Sequence, residues 1–213
     1  MNSPELDNES GLYVGPLVKE RKVTPMSPVT LSGRLVRLEP MRASKHLNDL
    51  YEAATSKGCI QRHRYLFETP PETINQFESW MNSVTDSTDL CFFAVIDLET
   101  GRAEGRLTLF RQSLQHMSIE VGYIHFGPNI AGTPKTTEVQ YLLAKHIFED
   151  LGFRRYEWKC DSLNLPSQRS ATRLGFTHEG TFRNHLVNKG RSRDTTWYAM
   201  LEEEWYSGIR ATF

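Results

Sequence analysis

A single carboxylate lies in the middle of a predicted strand, where it could take part in acid–base chemistry. In the segment 118–126, apolar side chains share one face of the strand, and Glu120 lies on the other face. A carboxylate in this position can accept a proton from an attacking amine, directly or through a water molecule. A solvated charge on an open sheet face is the alternative interpretation.

A loop at residues 127–137 follows this strand and leads into the clearest predicted helix of the chain. Thr133 is the predicted cap of that helix, and Pro134 suits its first turn. Backbone N–H groups and the dipole at a helix N-terminus favour an anion, so the loop is a candidate pyrophosphate site. The candidate contacts are Gly132, Thr133, Lys135, Thr136 and Thr137. An ordinary loop before a capped helix is the alternative.

Two polar residues near the start of a short helix predicted at 166–174 complete the set. Asn164 and Ser167 carry an amide and a hydroxyl that can stabilise a leaving thiolate. Helix capping alone would explain either residue equally well. Acyl transfer from a coenzyme A thioester to an amine requires a base, a pyrophosphate site, a polarised carbonyl and a stabilised thiolate. The sequence therefore offers candidates for this chemistry.

Metal and thiol chemistry are not expected. The seven histidines form no His-x-x-x-His motif and no tight cluster with cysteine, so no metal site is predicted. The three cysteines lie far apart, and their odd number favours a reducing, cytoplasmic location. Cys160 ends a predicted buried strand and is interpreted as a small core residue rather than a nucleophile.

The overall charge argues against a polyanionic partner. Charged residues make up 24% of the 213-residue chain, and the formal net charge is −1. Binding to a nucleic acid or an anionic membrane requires clustered Lys and Arg, so neither partner is expected. No segment approaches the roughly 20 apolar residues that span a bilayer. The polar residues 1–9 resemble neither a secretory nor a mitochondrial presequence.

The elements that must position the candidate residues are predicted within one domain. Residues 1–28 contain four prolines and are predicted to form an extended arm, on which Leu12-Tyr13-Val14 and Leu17-Val18 could dock against the domain at 29–213. Strands are predicted at 29–38 (broken at Gly33), 90–97, 106–110, 118–126, 153–160, 176–187 and 195–201. Helices are predicted at 43–54, 71–84, 134–151 and 166–174.

This order of elements predicts an α/β (α+β) fold with a mainly antiparallel sheet. The strand-helix-strand unit near 118–160 is the predicted parallel connection. Hairpin turns are predicted at Glu99-Thr100-Gly101 and at Lys189-Gly190.

Several short motifs occur in a characteristic order along the chain. They are Ile119-Glu120-Val121-Gly122-Tyr123, Thr137-Glu138, Arg154-Arg155-Tyr156-Glu157-Trp158-Lys159-Cys160-Asp161, Asn164 with Ser167, Arg173-Leu174-Gly175-Phe176, Glu179-Gly180, and Gly190-Arg191-Ser192-Arg193-Asp194-Thr195 with Glu204-Trp205. Over residues 29–206 this set resembles the GNAT superfamily of acyl-CoA-dependent N-acyltransferases. It most closely resembles the branch that includes the ribosomal-protein N-terminal acetyltransferases.

The resemblance implies a GNAT-like fold in which strands 118–126 and 153–160 splay apart and hold pantetheine between them. It also implies acetyl-CoA as the co-substrate and a small-molecule or peptide amine as the acceptor. By analogy, Glu120 is the general base, Asn164 contacts the pantetheine arm and Ser167 faces the sulfur. The resemblance further places the acceptor beside residues 62–65 and the final hairpin. The hairpin residues that would border the acceptor are Arg183, His185, Arg191 and Asp194. The alternative is that these four side chains are only paired and solvated at the surface.

One departure from the family pattern concerns the pyrophosphate loop. The family places Gln or Arg, then Gly, then Gly or Ala, at positions that hold Ala131, Pro134 and Thr136 in this chain. Proline has no N–H, so Pro134 removes one donor, and Lys135 is the residue predicted to restore positive charge.

The leading hypothesis is an acetyl-CoA-dependent N-acetyltransferase that acts by direct attack in a ternary complex. In it, the backbone of strand 120–126 polarises the carbonyl and Ser167 serves the thiolate. The altered loop keeps two alternatives open, a non-acetylating reaction on a small metabolite and a non-catalytic binding module.

Overall fold

The structure, a computed structural model, describes residues 4–212 and is built around an eight-stranded sheet. The strands are β1 Glu5–Leu6, β2 Tyr13–Val14, β3 Leu31–Ser32, β4 Val36–Pro40, β5 Leu90–Asp97, β6 Ala103–Ser113, β7 Ser118–Phe126, β8 Arg155–Asp161, β9 Thr177–Asn188 and β10 Arg191–Leu201. The order in the sheet is β3-β4-β5-β6-β7-β8-β10-β9, and β1 and β2 form a separate hairpin.

Every neighbouring pair in the sheet is antiparallel except β7 and β8, which are parallel. The predicted mixed, mainly antiparallel sheet is therefore confirmed. Residues 118–121 of β7 pair with residues 155–158 of β8, and the pairing then stops. Because β7 continues to Phe126 and β8 to Asp161, the two strands separate beyond this point.

A β-bulge lies in β7 just after the last paired residue. The register against β6 shifts between the pairs Thr108–Gly122 and Arg106–His125, so β7 carries one more residue than β6 there. Tyr123, within the bulge, has a φ of 51°, which is uncommon for a residue other than glycine. The bulge re-aims the second half of β7 where the strands separate.

Helices cover both faces of the sheet. They are α1 Ala43–Thr55, α2 Cys59–Arg62, α3 Ile74–Thr85, α4 Pro134–Lys145, α5 Leu165–Arg173, α6 Glu202–Glu204 and α7 Arg210–Thr212. Two π-helical segments, His146–Asp150 and Trp205–Ile209, follow α4 and α6 directly. The predicted caps of α4 and α5 form, because Thr133 accepts a hydrogen bond from the Lys135 N–H and Asn164 accepts one from the Ser167 N–H.

The two apolar cores follow from the alternation of side chains across the sheet. On one face, α4 packs through buried residues such as Val139 and Leu143 against the sheet. On the other face, α1 and α3 bury residues such as Leu50, Phe77 and Met81. The long α4 stripe was predicted correctly, but its last turn is π-helical rather than α-helical.

Several predicted boundaries were wrong. Strand β6 begins at Ala103 rather than at Arg106 and ends at Ser113 rather than at Phe110. Strand β10 begins at Arg191 rather than at Thr195. Lys189 and Gly190 both have positive φ, 51° and 71°, which is typical of a two-residue hairpin turn that lets both strands pair right up to it. The short helix α2 was not predicted.

The N-terminal segment contacts the domain through other residues than expected. Leu12, Tyr13 and Leu17 are 66%, 76% and 93% exposed, so they bury little surface, although Leu17 and Val18 line a small pocket together with Leu201 of the domain. Val23 and Met26 pack against the core instead, and the Met26 N–H donates to Gln112 Oε1 at 2.9 Å. The boundary at residue 28 remains a prediction. Among residues 4–212, no helix is both long and apolar enough to cross a membrane.

Candidate active site

The separation of β7 from β8 opens a cleft of about 1380 Å³. The predicted splayed pair of strands is thus confirmed. Two groups of residues line the cleft. We call the first the helix side; it is formed by α4, α5 and the turn at 32–35. We call the second the hairpin side; it is formed by residues 62–67, β9 and β10.

Glu120 lines the cleft from β7, and its side chain is only 5% exposed. Lys159 Nζ donates to Glu120 Oε2 at 2.7 Å, and Arg111 Nη1 donates to the same oxygen at 3.2 Å. The other oxygen, Oε1, accepts no hydrogen bond from the residues the structure describes. The alternative interpretation, a solvated charge on an open face, is therefore wrong, because Glu120 is buried and held by two cations.

Lys159, on strand β8, fixes the orientation of the Glu120 carboxylate. Its ammonium also pairs with Glu157 Oε2 at 2.9 Å and lies 3.7 Å from the centre of the Trp197 ring. Burial raises the pKa of Glu157, but hydrogen bonds from Arg155 and Lys159 outweigh burial, and its pKa is lowered. A cation held by two carboxylates and an aromatic face has little freedom to move, so Glu120 has a defined orientation.

Ser167 is held at the wall of the cleft rather than acting as a helix cap. The Trp158 indole Nε1–H donates to Ser167 Oγ at 3.0 Å, so the Ser167 hydroxyl keeps its own proton for an acceptor. The Cys160 sulfur is one neighbouring acceptor, because burial raises the pKa of the Cys160 thiol and a hydrogen bond from Ser167 opposes this rise. Cys160 is buried in the core, as predicted, and it also borders the cleft. Asn164 also lines the cleft, but its side chain serves as the α5 cap.

The loop before α4 brings most of its predicted residues to the helix side of the cleft. Gly132, with a φ of 74°, Thr133, Thr136 and Thr137 all line it. Thr133 Oγ1 caps the helix and Thr136 Oγ1 donates to the Thr133 carbonyl at 2.9 Å, so both hydroxyls support the loop itself. Because the first residues of α4 line the cleft, the positive end of the helix dipole faces it.

Lys135 does not supply charge to this loop, and that expectation is corrected. Its ammonium pairs with Asp97 Oδ2 at 2.8 Å and with Glu99 Oε2 at 2.9 Å, and these hydrogen bonds raise its pKa. Lys135 is not among the residues that line the cleft. Successive residues at a helix start point in different directions, and Lys135 points toward the β5–β6 turn rather than toward the loop.

Other cations occupy the helix side. Arg173 Nη1 donates to Thr137 Oγ1 at 3.0 Å, and Arg34 and Lys145 also line the cleft. In the described part of the chain, none of these three side chains forms a salt bridge. Of the three, only Arg173 lies in a motif quoted from the sequence. Arg34 comes from the turn at 32–35, far before the loop along the chain, and Lys145 is the last residue of α4; neither was identified from the sequence pattern.

The turn that carries Arg34 is held by a carboxylate from α4. Glu138 accepts backbone N–H bonds from Arg34, Leu35 and Val36 at 2.8, 2.7 and 2.8 Å. Gly33 has no side chain to obstruct this contact, since a Cβ there would lie 2.5 Å from the Glu138 carboxylate. The turn and the start of α4 thus form one wall of the helix side.

Two contacts join the loop of residues 62–67 to the β9–β10 hairpin. Lys189 Nζ donates to the His63 carbonyl at 2.7 Å, and Asn188 Nδ2 donates to the Leu66 carbonyl at 3.4 Å. Arg62 and His185, both singled out in the sequence, line this side. The other residues singled out on the hairpin, Arg183, Arg191 and Asp194, do not line the cleft.

A buried histidine pair supports the same side. The rings of His63 and His125 are 4.6 Å apart. Burial lowers the pKa of His63, and burial together with the nearby positive charge of Arg106 lowers the pKa of His125 to about 2. Both rings are therefore neutral at physiological pH. Within residues 4–212, His125 Nε2 has no hydrogen-bond partner.

Arg193 is the residue on this side that the sequence did not single out by itself. It lies on β10, is only 7% exposed and lines the cleft. The alternation of β10, which places Arg193 and Thr195 on one face, is the signal that could have identified it. In the sequence, Arg193 stood out only as a member of the 190–195 motif that contributes to the GNAT resemblance.

Comparison with known proteins agrees with this geometry. The acetyltransferase (GNAT) domain family matches residues 35–177. The crystal structure of a GCN5-related N-acetyltransferase from Brucella melitensis is 43% identical, with a TM-score of 0.88 over 92% of this chain and 89% of that one. The uncharacterized N-acetyltransferase YnaD of Bacillus subtilis (strain 168) is 27% identical over 101 residues, which is 47% of this chain. The uncharacterized N-acetyltransferase p20 of Bacillus licheniformis is 28% identical over 134 residues, which is 63% of this chain.

The matched segments span 58% of the length of YnaD and 65% of the length of p20, less than two thirds of each. None of the three descriptions names an acceptor, so the predicted ribosomal-protein branch stays a prediction.

Proposed function

Because the chain belongs to the GNAT acetyltransferase family, we propose that it transfers an acetyl group from acetyl-CoA to a primary amine. The observation that supports this proposal best is the cleft between the separating strands. On one side it has cations that form no salt bridge among the described residues, and the buried carboxylate of Glu120 lies in its wall. We also propose a small-molecule or peptide amine as the acceptor and a cytoplasmic location.

The helix side fits the phosphate groups of coenzyme A. The N-terminus of α4 faces the cleft, and Arg34, Lys145 and Arg173 are cations without carboxylate partners in the described residues. Arg173, which reaches Thr137 at the start of α4, is the cation that we propose makes up for the N–H that Pro134 lacks. The altered loop was the reason for considering a non-acetylating enzyme or a binding module. Gly132, Thr133, Thr136, Thr137 and Asn164 remain the proposed contacts of the coenzyme.

Bound acetyl-CoA supplies an acetyl group activated as a thioester. Beyond Val121 the backbone of β7 no longer pairs with β8, so its N–H groups on that edge are free to polarise a carbonyl. Lys159 and Arg111 hold Oε2 of Glu120, and Oε1 takes the proton that the acceptor ammonium must lose before its nitrogen can attack. The C–N bond then forms as the C–S bond breaks, and the Ser167 hydroxyl, oriented by Trp158, donates to the leaving sulfur.

Replacing Glu120 tests this assignment. Glu120→Gln keeps the size of the side chain and one oxygen that can accept from Lys159 and Arg111, but it removes the proton acceptor, so we expect kcat for thiol release from acetyl-CoA to fall about 100-fold or more. Glu157→Gln is the matched control, because Glu157 shares Lys159 but does not line the cleft. It should stay within about threefold of the wild type.

Calorimetric titration of both variants with acetyl-CoA checks that the fold and the coenzyme site are intact. An unchanged kcat in Glu120→Gln between pH 6 and pH 9 would remove Glu120 from the mechanism. Equal losses in both variants would assign the effect to Lys159 and not to the base.

A further inference from the structure

The hairpin side of the cleft contains a buried guanidinium without a carboxylate partner. Arg193 is 7% exposed, its Nε–H donates to Thr195 Oγ1 at 3.2 Å, and its guanidinium carbon lies 5.3 Å from the centre of the Phe67 ring. Within residues 4–212, no hydrogen bond is made by its two terminal nitrogens, and no carboxylate lies within salt-bridge distance. An isolated charge at this depth is costly unless a partner compensates it.

Two carboxylates, Glu120 and Asp161, share the cleft with Arg193, and among the described residues neither lies within salt-bridge distance of it. Glu120 is held by Lys159 and Arg111. Asp161 Oδ1 accepts the Leu163 N–H at 2.9 Å. Burial lowers the pKa of Arg193, and the charge of Asp161 opposes this shift, in agreement with a guanidinium that has no carboxylate at salt-bridge distance in the described part of the chain.

Further positive charge surrounds the same space. Arg62 lines the cleft and hydrogen-bonds to Ser56 and to backbone carbonyls, not to a carboxylate. Lys189 donates to the His63 carbonyl behind this wall and is not among the residues that line the cleft. In the described residues, neither cation forms a salt bridge. This side of the cleft therefore favours an anionic group and disfavours a polycation such as a polyamine.

We propose that Arg193 binds a carboxylate of the acceptor, so that the acceptor is an amine that also carries a carboxylate, of the amino-acid class. This inference rests on the proposed acetyl transfer and names its second substrate. A guanidinium presents its terminal N–H groups as a planar fork that matches both oxygens of a carboxylate. Arg193 would fix one end of the acceptor while its amine approaches Glu120.

The test uses matched acceptors that differ only in charge. The panel consists of the twenty L-amino acids, β-alanine and 4-aminobutyrate, each compared with its carboxamide, and free-thiol release from acetyl-CoA is the readout. We expect wild-type kcat/KM to be at least about tenfold higher for the best carboxylate than for its amide. Loss of one charge-assisted contact in Arg193→Gln should raise KM for that carboxylate about 10- to 100-fold and leave the amide unchanged.

Two further variants separate recognition from structure. Arg193→Lys keeps the charge but not the planar fork and should recover part of the affinity. Arg191→Gln removes an exposed arginine from the same strand outside the cleft, and should behave like the wild type. In each variant, kcat for the best carboxylate acceptor should change little, because Arg193 is assigned to binding and not to proton transfer.

Calorimetric titration with acetyl-CoA separates failure of this inference from failure of the proposed function. If acetyl-CoA does not bind the wild type, the proposed function itself is wrong. If it binds but amides are turned over as well as carboxylates, or no carboxylate in the panel is turned over, the assignment of Arg193 is overturned. Equal KM changes for an acid and its amide in Arg193→Gln would also overturn it.

Discussion

Glu120 shows how much the meaning of one residue depends on its neighbours. A carboxylate on an alternating strand is usually solvated, yet here Lys159 reaches it from the adjacent strand and Arg111 from the end of β6. Both contacts are made across the sheet, so sequence spacing alone does not reveal them. Sequence spacing is equally misleading for the charges near the loop. Lys135 lies next to the loop but pairs with Asp97, whereas Arg173, more distant along the chain, contacts Thr137 in the cleft.

The neutral state of His125 gives a prediction about stability and pH. Its pKa is about 2 in the folded protein because of burial and the charge of Arg106, against a usual value of 6.5. Below pH 6.5 the unfolded chain therefore binds a proton that the folded chain does not, and the free energy of unfolding falls as the pH falls. For one such group the loss is about 1.4 kcal/mol per pH unit, or about 2 kcal/mol between pH 6.5 and pH 5.

Urea denaturation at pH 7 and pH 5 tests this prediction. His125→Phe removes the titrating group but keeps an aromatic ring beside His63, so its stability should fall less than that of the wild type over this range. His46 and His63 also have lowered pKa values through burial, so some pH dependence should remain. His116→Phe, at an exposed position, is the control. An identical pH dependence in His125→Phe and the wild type would refute the argument.

At the scale of elements, the wall formed by the β3–β4 turn and α4 depends on one glycine. Gly33→Ala would place a Cβ 2.5 Å from the Glu138 carboxylate and displace it from three backbone N–H groups. We expect a loss of about 1–3 kcal/mol of unfolding free energy in urea denaturation, because charge-assisted hydrogen bonds are broken. Since this turn lines the helix side, acetyl-CoA should also bind more weakly.

Gly15→Ala is the matched control for this substitution. A Cβ at residue 15 would meet no atom within 4 Å, so the unfolding free energy should change by less than about 0.5 kcal/mol. Equal stability of Gly33→Ala and the wild type would show that the Glu138 contact is not needed to hold the turn.

The elements themselves were largely predictable, because apolar periodicity and caps are local signals. Strands β5 and β7 were predicted at their observed bounds, and Thr133 caps α4 as expected. The π-helical end of α4 and the β7 bulge were not predicted, since both are set by tertiary contacts and strand register. The separation of β7 from β8 was implied by family resemblance alone, as no residue spacing indicates where two strands stop pairing.

At the scale of the whole molecule, the cleft has a different charge arrangement on each side. The helix side combines the N-terminus of α4 with cations from the β3–β4 turn, the end of α4 and α5, and on the hairpin side Arg193 and Arg62 form no salt bridge among the described residues. The formal net charge of −1 conceals this local excess of positive charge. Composition gives the net charge of the whole chain, whereas only the fold brings the cations of the cleft together.

Calorimetric titration of the wild-type protein with acetyl-CoA tests whether the cleft is a coenzyme site. We expect one site per chain, and at about 100 times Kd the ligand should raise the unfolding free energy by about 2.7 kcal/mol. Arg173→Gln should weaken binding about tenfold, whereas Arg169→Gln, an exposed position on the same helix outside the cleft, should not. Absence of binding at millimolar acetyl-CoA would show that the cleft does not hold the coenzyme and that the proposed function is wrong.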